Sequence, residues 1–213
     1  MASARWRAIA PFAGLALAVV GLDQLVKLLI KLTMTPGESI PVLGSVFSIH
    51  FIENPGAAFG LTLNNVFGDP LTAKVVLNLF SLVLAGLIAV YLYRIAIIKT
   101  GLRLWLALIL GGAIGNLIDR IFYGAWFAEM NDYEGGFFFG RVVDMFYLNL
   151  YNGRLPANWP LVGDTYLTLW PVFNIADAAI SVSIVAVLIF RRRLFRPLEQ
   201  AKAQGPPTDA ASA

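Results

Sequence analysis

The chain has 213 residues, 58% of them hydrophobic and 14% charged, with a mean hydropathy of +0.72, a balance outside the range of soluble domains. It has no cysteine and one histidine, His50, which excludes a thiolate nucleophile, a disulfide framework and a cysteine-ligated metal site, and argues against a histidine-rich one. The net charge of +3 is distributed as membrane loops distribute it and not as a nucleic-acid patch, so the expectation is an integral membrane protein with no nucleic-acid partner and no cofactor.

Apolar runs of about 20 residues, the length that crosses a bilayer, occur at 9–32, 75–93, 102–122 and 173–190. The first follows Arg5 and Arg7 and contains the cleavage-like triplet Ala16-Leu17-Ala18, the pattern of a secretory signal. Its apolar pattern continues past Ala18 to Leu32, so it is taken as the first span. The next connection holds a strand-like run, 39–54, rich in branched and aromatic residues and broken by Gly44, which suits a small sheet. ENPGAAFG, 53–60, follows as a turn: Pro55 keeps Asn54 extended, and Gly56 and Gly60 admit close backbone approach.

After the second span comes a short loop, then the third, in which Gly111 and Gly115 form a small-residue packing pair. A long aromatic connection, 123–172, leads to the fourth span, which ends at RRRLFR. The tail 197–213 is small, polar and expected to be disordered. Arg5, Arg7, Arg94, Lys99, Arg103, Arg191, Arg192, Arg193, Arg196 and Lys202 share one side. By the positive-inside rule that side is cytoplasmic, with both termini. The expected fold is an all-α membrane core of four transmembrane helices, one domain over 1–196, with a small external β-sheet and a long external loop between helices three and four.

With this orientation the polar residues gather at one depth. Asp23 and Lys27 lie in the outer half of span one, Asn78 near the outer start of span two, and Asn116, Asp119 and Arg120 at the outer end of span three. Asn174 and Asp177 fall in the first turns of span four, and Asp144 in the external connection. Several of these have a plainer structural role: Asp23 and Lys27 as an i, i+4 ion pair, Asn78 as a helix contact, Asn54 as a turn residue. Asp177 is different, because no basic residue lies three or four positions away on its own helix, and a lone carboxylate in a span is costly.

Without cysteine, carboxylates at a membrane boundary support acid–base chemistry. Two close aspartates hold a single proton at intermediate pH, so that one activates water while the other donates to a carbonyl. Asp144 and Asp177 are the best candidate pair. GLDQLVK (21–27), ENPGAAFG (53–60), GGAIGNLIDR (111–120), RVVDMF (141–146) and FNIADAAI (173–180) together resemble the five motif blocks of the lipoprotein signal peptidase, or signal peptidase II, family.

The resemblance implies an aspartic endopeptidase of the bacterial inner membrane, with its site at the outer leaflet and no metal. Its substrate would be a prolipoprotein signal peptide, cut on the amino side of a diacylglyceryl-modified cysteine, with no obligatory protein partner. The catalytic pair falls on Asp144 and Asp177, and substrate-contacting or supporting residues on Asp23, Lys27, Asn54, Gly56, Asn116, Asp119, Arg120 and Asn174. Two segments, 124–140 and 150–169, look longer than the family's compact connections. A small transporter or proton relay, or a noncatalytic assembly factor, are the rival classes. A relay needs polarity through the full membrane thickness, and the cytoplasmic halves of these spans are apolar.

Overall fold

The computed structural model describes residues 2–55, 69–133, 135–154, 156, 158, 166–168 and 171–203. In chain order the elements are helix α1 (Ala2–Thr33), strands β1 (Ser39–Leu43) and β2 (Phe47–Asn54), and helices α2 (Pro70–Arg94) and α3 (Leu102–Ile118). A π-helical turn (Asp119–Tyr123) and the single-turn helix α4 (Gly124–Trp126) extend α3. Strands β3 (Val142–Leu148), β4 (Asn152–Arg154) and β5 (Tyr166–Thr168) precede helix α5 (Ile175–Ala203). Three helical paths, Ser3–Thr33, Thr72–Arg94 and Leu102–Trp126, are long and apolar enough to cross a membrane. Their outward residues are apolar, with Leu17, Val83 and Leu87 exposed, as the hydrocarbon region requires of surfaces that cannot offer polar groups.

The chain divides into two compact units: Met1–Leu22 with Leu79–Leu117 and Ile175–Ala213, and Asp23–Asn78 with Ile118–Asn174. In the first, α3 is packed through its glycines. A Cβ on Gly111 would lie 2.7 Å from the Ala16 carbonyl oxygen of α1, and one on Gly112 would lie 2.5 Å from the Ala176 carbonyl oxygen of α5. The small-residue motif therefore serves helix packing, through Gly111 and its neighbour Gly112, with Gly115 also buried. At the basic end, Ile95, Leu102, Leu194 and Leu198 form a cluster, and Thr100 Oγ1 donates to the Leu194 carbonyl at 2.6 Å. That docking holds α5 helical through Pro197 to Ala203, beyond residue 196, where the sequence reading ended the ordered chain.

The second unit contains an antiparallel sheet of order β1-β2-β3. The strand-like run 39–54 forms its hairpin, with Gly44 in the turn at φ 52°, a conformation that favours glycine. β2 pairs with β3 so that Ile52 faces Asp144 and Asn54 faces Val142. One face of this sheet packs Phe51, Val143 and Met145 against Ile30, Met34 and Tyr123. Burying Phe51 alone contributes about 1.5 to 3 kcal/mol, since only 1% of it stays exposed.

Two boundaries differ from the sequence reading. Phe173, expected to open the fourth span, instead bridges Phe146 of β3, and the helix starts at Ile175. The backbone exchange of Phe146 and Phe173, 2.8 and 3.0 Å, takes up the groups a helix would have used. The third span also changes form at Asp119, where the α-helix gives way to the π turn. The reason lies in segment 124–140: the carbonyls of Arg120 and Ile121 accept the N–H groups of Gly140 (3.1 Å) and Phe138 (2.9 Å). The segment closes so tightly that a Cβ on Gly140 would overlap the Asp119 carbonyl oxygen, whereas one on Gly135 would come no nearer than 3.0 Å to Ala128 Cβ. Gly140→Ala is accordingly expected to destabilise by about 1–3 kcal/mol and Gly135→Ala by less. Equal melting temperatures for the two variants would refute this account of the turn.

Candidate active site

Lys27, one turn beyond Asp23 on α1, points into the second unit with its side chain fully buried. Its Nζ lies 2.8 Å from Asp23 Oδ2 and 2.8 Å from Asp119 Oδ2. The expected i, i+4 pair is thus a triad of one cation and two carboxylates, and burial of that excess negative charge demands further donors. Gln24 Nε2 donates to Asp119 Oδ1 at 2.8 Å and to Asp23 Oδ2 at 3.3 Å, while the Val143 N–H reaches Asp119 Oδ2 at 3.2 Å. Tyr123 in turn donates from its hydroxyl to Gln24 Oε1 at 3.1 Å. Through the Val143 bond, the triad pins strand β3 at the residue before Asp144.

Asp144 is 2% exposed on β3. Asn174 Nδ2 donates to its Oδ1 at 2.7 Å, and Asn54 Nδ2 to its Oδ2 at 3.1 Å. Each carboxylate oxygen therefore faces an amide donor, which fixes the side chain's rotation. Asn174 was expected inside the fourth helix; it stands just ahead of it and serves Asp144. In the first unit, Asp177 sits in the first turn of α5, half-buried, and accepts from Asn116 Nδ2 of α3 at 2.8 Å. Asn116 and Asp119, read from the sequence as one helical face, have different partners: Asn116 donates to Asp177, while Asp119, the first residue of the π turn, accepts from Lys27 and Gln24. Arg120 lies in that turn, its carbonyl bound by Gly140. Gly56 lies outside the described residues, as does the rest of NPGAAFG after Pro55.

Several participants escaped the sequence reading. Gln24 and Tyr123 complete the buried triad, and Lys31, one turn past Lys27, pairs with Glu53 and donates to Asn131 Oδ1 at 2.8 Å. Their signal was there: Gln24 and Lys31 are polar residues in an apolar span, where each needs a partner. Asn78, read as a helix contact, donates to the Phe138 carbonyl at 3.4 Å.

Beside Glu53, Tyr133 accepts the Arg141 N–H at 3.4 Å and lies under its guanidinium, 4.2 Å from ring centre to Cζ. Burial pushes the Tyr133 phenol up from 10.0 to about 12, with the Glu53 and Asp132 charges adding and the Arg141 hydrogen bond and charge opposing. A folded-state value above the unfolded one means the stability is fully present below pH 10 and lost as pH rises toward 12. Tyr133→Phe is expected to flatten the decline in unfolding free energy over that window, and an unchanged slope would contradict it.

Asp144 and Asp177 are thus each held by side-chain amides from elsewhere in the chain. Residues 15–192 match the family described as Signal peptidase (SPase) II. The lipoprotein signal peptidase of Porphyromonas gingivalis is 38% identical over 192 residues, covering 83% of this chain and 80% of that one. That of Amoebophilus asiaticus is 36% identical over 193 residues, covering 85% and 77%. A solved bacterial membrane enzyme, 21% identical and covered to 94% in both chains, superposes with a TM-score of 0.55, a likeness of fold. The chain belongs to the signal peptidase II family, and it is a peptidase.

Proposed function

We propose that this protein removes the signal peptide from prolipoproteins, cutting on the amino side of a diacylglyceryl-modified cysteine, with Asp144 and Asp177 as the catalytic pair. The observation that carries the reading is the placement of Asn174: its amide donates to Asp144 and it stands three residues before Asp177 in the chain. The relatives named lipoprotein signal peptidase support the substrate class. In the reaction, one aspartate takes a proton from water as the water oxygen attacks the scissile carbonyl carbon. The other, carrying a proton, donates it to the carbonyl oxygen. Collapse of the tetrahedral intermediate breaks the C–N bond and delivers a proton to the cysteine nitrogen, leaving a free amine on the lipoprotein and a carboxyl on the signal peptide.

Asn54 and Asn174 orient Asp144 in this scheme, Asn116 orients Asp177, and the Asp23–Lys27–Asp119 triad with Arg120 holds the surrounding backbone. In this reading α5 is the fourth transmembrane span: its apolar part, 175–190, is closed by Arg191, Arg192 and Arg193, and these with the other basic residues support both termini lying in the cytoplasm of a bacterial inner membrane. The sheet and the 124–172 connection then lie outside, the two units act as one peptidase domain, and the scissile bond meets the pair at the outer boundary while the diacylglyceryl chains stay in the leaflet. The test is incubation of the purified protein with a diacylglyceryl-modified precursor and with the same precursor bearing unmodified cysteine. Cleavage of the modified precursor alone is expected. Cleavage of neither would sink the proposal, and equal cleavage of both would remove the lipid requirement.

A further inference from the structure

The segment 124–140 is not accounted for by the carboxylate chemistry. It exposes large apolar side chains: Trp126 is 60% exposed, Phe137 57% and Phe138 41%. The exposed rings are not scattered. Phe122 stacks on Trp126 at 4.9 Å between ring centres and meets Phe137 edge-on at 6.0 Å. In water an apolar cluster of this kind is a liability unless something covers it.

The backbone beneath the rings is firmly tied. Phe138 adopts φ 69°, a left-handed conformation rare for an aromatic residue, which persists only where neighbouring bonds enforce it. Those bonds run from the Phe138 N–H to the Ile121 carbonyl, from the Gly136 N–H to the Gly124 carbonyl, and from Asn78 Nδ2 of α2 to the Phe138 carbonyl. Lys74, one turn before Asn78, lies 5.0 Å above the Phe139 ring. Phe139 is thereby gripped while Phe137 and Phe138 are displayed. Glu129 and Asp132 in the same segment are exposed and charged.

We propose that segment 124–140, together with Phe122 of the π turn, is an interfacial membrane anchor, in which the rings of Phe122, Trp126, Phe137 and Phe138 seat in the headgroup and upper acyl region of the leaflet where the Leu102–Trp126 path ends. Continuity selects the bilayer as the occupant. Trp126 is the last residue of a helical path long and apolar enough to cross a membrane, so the rings around it begin where a lipid-facing surface stops, the depth at which tryptophan is enriched. The preformed backbone lets them seat without an ordering cost. Because Gly140 and Phe138 bond the π turn that carries Asp119, the anchor sets the depth of the buried triad. The inference needs the membrane reading but not the peptidase reading.

The experiment uses the full chain in phosphatidylcholine nanodiscs. With no native cysteine, Phe137→Cys and, separately, Glu129→Cys each offer one thiol for a nitroxide. The label at 137 is expected to be relaxed more by oxygen than by a water-soluble nickel chelate, and the label at 129 the reverse. Independently, the emission lost in Trp126→Phe, taken as the difference from wild type, should be blue-shifted and quenched by lipids brominated near the carbonyl. Nickel-dominated relaxation at 137, or a Trp126 signal indifferent to brominated lipid, would overturn the proposal. So would dipolar broadening between labels, which would make the occupant a second copy. Protection at 137 that arises only on adding lipid-modified precursor would also overturn it, in favour of the substrate's own chains.

Discussion

Asp144→Asn and Asp177→Asn are each expected to lower precursor cleavage by about 10²–10⁴-fold, the range for removing a general acid or base. An asparagine keeps the volume of aspartate but exchanges one acceptor oxygen for an NH₂ donor, and it neither takes nor gives the catalytic proton. The two variants differ in a second respect. Asp144 accepts from two amides, Asn54 and Asn174, so an asparagine there turns its own NH₂ toward one of them and costs about 1–3 kcal/mol for the mismatched buried donors. Asp177 is half-buried and accepts from Asn116, a bond that an asparagine carbonyl can keep. Cleavage should therefore fall in both, while the melting temperature falls further for Asp144→Asn. A folded variant at either position that cleaves at the wild-type rate would refute the pair.

Lys27→Met should be the most destabilising single change in the second unit, by about 3–5 kcal/mol, the cost of stranding a buried charge by removing its partner. Both Asp23 and Asp119 lie within 2.8 Å of the ammonium, and the side chains of all three are fully buried. Without the cation two buried carboxylates face one another, and the donations from Gln24 and the Val143 N–H do not supply the lost positive charge. The triple variant Asp23→Asn, Lys27→Met, Asp119→Asn removes all the charges together and should recover much of the loss. Thermal unfolding in one detergent compares the three proteins. If Lys27→Met melted with the wild type, the triad would have no structural weight.

The residue types and much of the fold were legible because membrane physics is nearly one-dimensional. Apolar length marks a span, the β-branched run broken by Gly44 marks a hairpin, and a charge in a span marks a place where structure or chemistry compensates it. Lys27 shows where that reading stopped. Its i, i+4 spacing from Asp23 was visible, but the second carboxylate, Asp119, comes from a helix 92 positions on (119 − 27), and no local periodicity encodes that meeting. Asn174 shows the same limit at shorter range: apolar continuity ran the fourth span back through Phe173, whereas pairing with Phe146 pulled that residue into the sheet.

The amino-acid sequence by itself determined that this chain carries helices of membrane-crossing length and that, without cysteine, the chemistry open to it is that of carboxylates and amides, and it offered Asp144 and Asp177 as the candidate pair. Tertiary structure decided the partners. Asn54 and Asn174 converge on Asp144, Asn116 on Asp177, and Lys27 on Asp119. The π turn at Asp119 likewise depends on carbonyls claimed by a segment still ahead in the chain. Depth and polarity follow from each residue's own transfer energy and can be read singly, whereas a hydrogen bond between distant residues exists only once the intervening chain has folded to bring donor and acceptor together.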